Sequence, residues 1–310
     1  MSKVERIPGI LRVYDPAPAH AVPLLVDSPH SGTHYPKDFN FTCDKAELER
    51  YEDRAVDQLV TGMADLGATV VCAEIARSYL DLNRSTRDML PGQFRNSWTG
   101  ETLKPDYARR GIGLVWTTVD SKAIYHHPPT AAAVQKRINT YYKPYYAALE
   151  HRAQRLRDQF GKFWHLNMHS MHPNMPQDII LGTLEGESCS EAFAGCVEDA
   201  LRAQGLFRVA KNFQYKGANL TTLFGKPHEH SESMQIEINK RLYLKDDLLT
   251  IDPEKFARLK DQLENLCKMV GNYAAAEVMV PKTPLKDALS AASTSSIEAR
   301  VPSAAIDVTP

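Results

Sequence analysis

The sequence predicts an α/β fold, with a mostly parallel sheet covered by helices on both faces. Three observations carry this. Short apolar, β-rich runs recur along the chain, helical patterns lie between many of them, and no Gly/Ser linker or internal repeat divides the 310 residues. The folded domain is expected over residues 1–280. Residues 281–310, small, polar and Pro-containing, are expected to form a disordered tail.

The expected strands are VPLLV (22–26), ATVVCAEI (68–75), KFWHLNM (162–168), DIILGTL (178–184), LFRVAK (206–211) and MQIEIN (234–239). A helix is expected over 44–66. Asp44 is its N-cap, Glu47 stands three residues on, and Leu48, Ala55, Leu59 and Leu66 share one face. Residues 130–160 read as a long helical region bent at Pro144, and 190–204 and 252–279 as further helices. Residues 85–129 are rich in Pro, Gly, Arg and polar side chains and read as a long functional excursion from the sheet.

Composition narrows the function. The chain is 43% hydrophobic and 24% charged, with a net charge of −1, as an ordinary globular enzyme would be. No basic stripe favours nucleic acid, and no apolar run is long enough to span a membrane. No signal-peptide pattern opens the chain, so a cytoplasmic location is expected. The five cysteines are scattered and form no CxxC, which argues against a disulfide framework and against a thiolate metal site. Any metal must then be held by histidine and carboxylate.

Candidate ligands lie at strand ends, where open α/β sheets bind ligands. His30 follows the first apolar strand in LLVDSPHSG, and His169 ends another in FWHLNMHSM. Two imidazoles there can share a metal, or each can be an ordinary loop histidine. A third ligand must be a carboxylate or another imidazole. The helix after His30 offers Asp53 and Asp57 on one side, and Glu52 is a rival. His34 follows His30 by four, but Gly32 and Pro36 oppose the helix that an HxxxH site requires.

Glu237 lies between Ile236 and Ile238, so strand alternation points it to the opposite face from both. It is either an exposed residue of an outer strand or a carboxylate placed to serve as general base. In RSYLDLNR, Asp81, Asn83 and Arg84 end a short apolar stretch. Arg84 can grip a substrate carboxylate with two parallel hydrogen bonds, or form a surface salt bridge.

Several stretches together resemble the N-formylglutamate amidohydrolase family: PHSGTHYP (29–36), EDRAVDQL (52–59), YLDLNRS (79–85), RGIGLVW (110–116), NMHSMHP (167–173), GTLEGESC (182–189) and the run from Ala218 to Leu244. They follow family order. The resemblance implies a single domain with a mixed sheet of zinc-carboxypeptidase-like type, one zinc ion, and hydrolysis of N-formyl-L-glutamate in histidine catabolism. The partner it implies is a small anionic N-acyl amino acid. It assigns His30, Asp53 and His169 to the metal and Glu237 to catalysis. Asn83 and Arg84 become the pair that binds substrate carboxylate. Arg110, Lys216, Thr221 and Thr222 are candidates for a second carboxylate, and His172 or Lys216 for the oxyanion. A broader N-acyl-amino-acid deacylase, a carboxypeptidase-like hydrolase and a non-catalytic binding protein are the alternatives. Two features depart from the pattern. Thr33 stands where carboxypeptidases place a ligand carboxylate, and PHEHSESM before Glu237 is unusually rich in His, Glu and Ser.

Overall fold

The computed structural model describes residues 2–279 apart from Lys104 and Leu206. The expected tail, 281–310, lies outside the described residues. The chain opens with a hairpin, β1 (Lys3–Ile7) and β2 (Leu11–Asp15), which the hydrophobic pattern had not marked. All five residues of β1 are exposed, so no period-two signal exists there. Then come β3 (Leu24–Ser28), α1 (Lys45–Glu49), α2 (Val56–Val60) and β4 (Thr69–Ala73). The excursion holds α3 (Asp106–Arg109) and a small ribbon, β5 (Thr118–Val119) with β6 (Lys122–Ala123). The second half runs α4 (Ala131–Arg137), α5 (Lys143–Phe160), β7 (Phe163–Met171), β8 (Ile179–Gly182), α6 (Glu191–Arg202), β9 (Val209–Lys211), α7 (Asn219–Phe224), β10 (Ser231–Asn239) and α8 (Pro253–Met279).

Eight strands form one sheet in the order β1-β2-β4-β3-β7-β10-β8-β9. The central four, β4, β3, β7 and β10, are mutually parallel, while β2 and β8 run antiparallel to the central strands they flank. The sheet is therefore mixed and mostly parallel. Alternation divides its side chains between two cores. Leu24, Val26, Val70, Cys72, Trp164, Leu166, Met234 and Ile236 pack with α2, α6 and α8. Leu25, Val71, Ala73 and Phe163 face α4, α5 and the excursion.

Two helical expectations are modified. The region 44–66 is not one helix. Asp44 caps α1 by accepting from the Ala46 amide, but the helix stops at Glu49 and α2 begins only at Val56. In the break, the Asp53 amide donates to the His30 carbonyl at 3.0 Å. Lys240 Nζ takes the carbonyls of Arg50 and Glu52, each at 2.6 Å, and Ala55 adopts a left-handed φ of 61°. These tertiary bonds outcompete a weak local helical preference. Asp53 and Asp57 thus do not share a helix face.

At Pro144 the expected bend is taken up in a π-helical turn, Ile138–Tyr142, between α4 and α5. Proline has no N–H for the bond four residues back, and the chain inserts a wider turn just before it. Tyr142 and Tyr146 stack at 4.0 Å. Their hydroxyls donate to the carbonyls of Arg84 (3.0 Å) and Leu82 (2.8 Å).

The sheet face that packs on α6 and α8 can be tested by itself. Trp164 is fully buried and packs against Phe193 and Tyr273. Trp164→Ala should destabilise the chain by about 3–5 kcal/mol in chemical denaturation. The activity of the remaining folded molecules should stay near wild type. A loss below 1 kcal/mol would contradict this packing.

Candidate functional site

Continuing the period of β7 and β10 back from their carboxyl ends gives a polar stripe on one sheet face. His169 pairs in register with Glu237, Asn167 with Gln235 and His165 with Ser233. All six are buried, and the apolar residues between them point to the other core. His30 joins from the turn after β3. Gly32 is required just beyond it, because a Cβ there would lie 2.1 Å from the Ile75 carbonyl oxygen.

His30, Asp53 and His169 converge, each offering a ligand atom within 4.8 Å of the others. Asp53 Oδ2 lies 2.8 Å from His169 Nδ1 and 3.5 Å from His30 Nδ1. On their far sides, His30 Nε2 meets Asp81 Oδ1 at 2.6 Å and His169 Nε2 meets Asn167 Oδ1 at 2.8 Å. Asp81 accepts the His30 proton at Nε2 and leaves the His30 Nδ1 lone pair free, whereas His169 Nδ1 donates to the acceptor-only Asp53 carboxylate, a proton that a metal would replace. His30 Nδ1 is buried and has no hydrogen-bond partner among the described residues. Such an orphaned acceptor, beside a second imidazole and a carboxylate, is a donor set that fits zinc with a fourth position left open.

The electrostatics agree. Burial opposes ionisation of Asp53, but the hydrogen bond from His169, the nearness of His30 and the charge of Arg77 outweigh it and hold the carboxyl well below its usual range. Burial also lowers the pKa of His169, favouring the neutral ring a metal requires. Asp53 Oδ1 accepts from Ser170 Oγ at 3.0 Å and lies 3.7 Å from Arg77 Nη1. The rival carboxylates turn elsewhere. Glu52 accepts from the Tyr35 hydroxyl, and burial pushes its pKa up to about 7. Asp57 pairs with Arg12 Nη2 at 2.5 Å.

The cluster opens on a cleft of about 730 Å³ that Glu237 also lines. Glu237 accepts from Gln235 Nε2 at 2.8 Å. Burial, and then the charge of Asp53, push its pKa up to about 8. Arg84 lines the cleft with its guanidinium 4.3 Å over the Tyr107 ring, and Nη1 donates to the Asn83 carbonyl. Its Nε is buried without a partner, and no ion pair joins it to Asp81 or Asp88 among the described residues. Arg110, Lys216, Thr222 and His172 also line the cleft. Lys216 pairs with Glu185 at 2.6 Å in an exposed contact.

Two expected substrate groups sit differently. Thr221 is fully buried on α7 against Gly217, so it does not reach the cleft surface. Asn83 borders the cleft, but its amide is committed inward. It donates to Asn167 Oδ1 at 3.1 Å and accepts from the Leu220 amide at 2.9 Å.

Sequence reasoning missed several neighbours. Arg77 donates to Asp81 Oδ2 at 3.2 Å and lies 5.0 Å over the Trp116 ring, and Trp116 Nε1 donates to the same oxygen. Nothing in the local pattern separates Arg77 from a surface arginine. Asn167 and Gln235 were findable by stepping two residues back along each strand. A larger cavity of about 1090 Å³ lies across the His30–Gly32 turn. Its carboxylates, Glu74 and Asp57, are tied to Arg6 and Arg12, and neither Glu237 nor the metal-type cluster lines it.

Comparison with known proteins adds lineage to this geometry. The sequence profile of the family described as N-formylglutamate amidohydrolase matches residues 22–244. An N-formylglutamate deformylase of Pseudomonas putida is 26% identical over 236 residues, covering 73% of this chain and 83% of its own. Its counterpart in Pseudomonas aeruginosa is 26% identical over 234 residues, with 72% and 82% covered. The crystal structure of an N-formylglutamate amidohydrolase from Ralstonia eutropha JMP134 aligns with a TM-score of 0.82 at 36% identity, over 86% of this chain and 98% of that one. The matched span takes in the cluster, Arg84 and Glu237 together, and the chain belongs to the N-formylglutamate amidohydrolase family.

Proposed function

We propose that the chain hydrolyses N-formyl-L-glutamate, or a close N-acyl acidic amino acid, to formate and the free amine, with one zinc ion held by His30, Asp53 and His169. The observation that carries this reading is the buried, unpartnered His30 Nδ1 facing Asp53 and His169. Zinc bound there would polarise the formyl oxygen and lower the pKa of an adjacent water toward ~7.

The chain's own groups do the rest. Glu237 takes a proton from the water as its oxygen adds to the formyl carbon, and returns it to the amine nitrogen as the C–N bond breaks. Burial and Asp53 both raise its pKa, and with Asp53 neutralised as a ligand the second cause falls away. Gln235 holds Glu237 Oε1 in place. Arg77, beside Asp53 and lining the cleft, is the donor best placed for the tetrahedral oxyanion. Arg84, with no carboxylate partner of its own, takes one substrate carboxylate, and Arg110 or Lys216 takes the other.

A second reading, hydrolysis of larger N-acyl amino acids, is favoured by the mouth of the cleft. Leu103 and Tyr51 line it while 53% and 38% exposed, and apolar groups so placed often mark ligand contacts. A panel of formyl-, acetyl- and peptidyl-glutamates, assayed with and without chelator, tests both readings. Turnover of the formyl compound should dominate, vanish with chelator and return with zinc. Full turnover in the presence of chelator would end the metal reading.

Glu237→Gln should keep its zinc while turnover falls by about 10²–10⁴-fold. Metal analysis and rate are to be measured on the same sample. Unchanged turnover at full zinc would remove the general-base role, and loss of zinc would make Glu237 a ligand.

Arg84→Ala should lower kcat/KM on N-formyl-L-glutamate at least about tenfold, as a lost charge-assisted pair implies. The preference for a free over an amidated α-carboxylate should shrink with it. An unchanged preference would take Arg84 out of the binding site.

A further inference from the structure

Most of the polar groups on the cleft wall are donors. Arg50, Arg77, Arg84, Arg110, Lys216 and Lys240 all border it, and no side chain of either type can accept a hydrogen bond. They suit the carboxylates of an N-acyl amino acid. Such a molecule also brings a donor of its own, the N–H of its amide. An N–H taken out of water without an acceptor is costly, and the catalytic groups described above leave this one unassigned.

Asn219 offers an acceptor whose orientation follows from its neighbours. It opens α7 and borders the cleft. Its Nδ2 lies 2.7 Å from the Tyr146 hydroxyl and 3.5 Å from the Tyr142 hydroxyl. Each hydroxyl has a single proton, and both protons are committed to carbonyls, Tyr146 to Leu82 at 2.8 Å and Tyr142 to Arg84 at 3.0 Å. A carbonyl only accepts, so toward Asn219 both hydroxyls can only accept. The amide must turn its NH₂ to the tyrosines and its oxygen away from them. That oxygen makes no hydrogen bond among the described residues, and it is not buried.

Acceptors near it are already occupied. The Leu220 amide donates to Asn83 Oδ1 at 2.9 Å, and the Ser85 amide donates to Asp88 Oδ2 at 2.7 Å. Thr222, three residues on, turns its hydroxyl back to the Ala218 carbonyl at 3.1 Å. Tyr142 links Asn219 to the Arg84 backbone through one hydroxyl, so the free oxygen and the guanidinium belong to the same corner of the cleft. In an N-acyl amino acid the amide nitrogen is bonded to the carbon that bears the α-carboxylate. A carboxylate held by Arg84 therefore brings the N–H to this corner.

We propose that Asn219 Oδ1 accepts the N–H of the substrate amide and so selects secondary amides whose nitrogen stands beside a carboxylate. The proposal rests on the reading of the cleft as the site of N-acyl amino acid hydrolysis. The bond fixes the plane of the scissile amide and steadies its nitrogen as that nitrogen takes the proton from Glu237.

The test compares two substrates on the zinc-loaded full chain. N-formyl-L-glutamate has the N–H, whereas the formate ester of L-2-hydroxyglutarate has an oxygen in its place and the same two carboxylates. Asn219→Ala should lower kcat/KM on the amide about three- to tenfold, as one lost hydrogen bond implies. The ester should change much less, so the amide-to-ester ratio falls, and comparing ratios removes the intrinsic difference in reactivity. Asn219→Leu keeps the bulk of the side chain and should give the same fall, which covers an unstable alanine variant. The preference for a free over an amidated α-carboxylate reports on Arg84 and should stay at its wild-type value. If Asn219 only braced the tyrosines that hold Arg84, amide and ester would fall together and that preference would shrink. That result, or an unchanged ratio, would overturn the proposal. Wild type that binds both compounds in calorimetry without cleaving either would defeat the hydrolytic reading alone, and the same ratio taken from dissociation constants would decide the role of Asn219. Wild type that binds neither would end both.

Discussion

Asp53 is an ionised carboxylate only 1% exposed, and a buried charge must be matched on every lone pair or it unfolds its surroundings. Much of the local architecture serves that requirement. Ser170 and Arg77 attend one oxygen, and two imidazoles attend the other. To bring Asp53 there, the chain between α1 and α2 gives up helical geometry, and Ala55 accepts a left-handed φ. The carbonyls freed by that break go to Lys240, whose pKa burial lowers to about 8. Lys240 stands three residues after Glu237, so one short stretch of β10 and its exit both carries Glu237 to the cleft and braces the segment that holds Asp53.

The same requirement explains the composition of the sheet. A central parallel strand is ordinarily apolar on both faces. Here β7 and β10 are apolar toward α6 and α8 and polar toward α5, with His165, Asn167, His169, Ser233 and Gln235 each bonded to a partner on another element. Such a network contributes little net stability compared with an apolar core. Its effect is to fix orientations, since a half-satisfied buried network costs more than none. Stability comes from the opposite face, where Trp164, Phe193 and Tyr273 pack ring against ring and the indole N–H and the Tyr273 hydroxyl are their polar groups.

Much of this was legible in the sequence, for definite reasons. His30, His169 and Glu237 stand at or near the ends of apolar runs, and strand alternation gives Glu237 its face without reference to any relative. Asp53 was placed in the metal set by resemblance, while its expected helix was absent. The bonds that undo that helix come from His30 and Lys240, and Lys240 is 190 residues from Arg50, far beyond any local pattern. Arg77 escaped for the same reason, because its neighbours Asp53, Asp81 and Trp116 meet it only in the folded chain. Thr221 was misplaced because helix phase on a six-residue segment is set by packing, here against Gly217. β1 left little trace because a fully exposed edge strand needs no hydrophobic period, and β2 alternates over only five residues, with Leu11 and Val13 buried.

The π-helical turn before Pro144 has a consequence for how the gene can change. A helix advances about 100° per residue, so a single insertion or deletion within Ile138–Tyr142 rotates everything on one side against everything on the other. Arg137 lies on one side, bonded to the Tyr79 carbonyl and the Tyr125 hydroxyl. Tyr142 and Tyr146 are at the other end, clamping the backbone at Leu82 and Arg84. Both ends hold the same stretch, 79–84, from which Arg84 reaches the cleft. Length drift in this turn therefore cannot be absorbed at a loop, as it could in most helical regions. It would tear one anchor or the other, so the length of a five-residue turn is bound to the geometry of the cleft at Arg84.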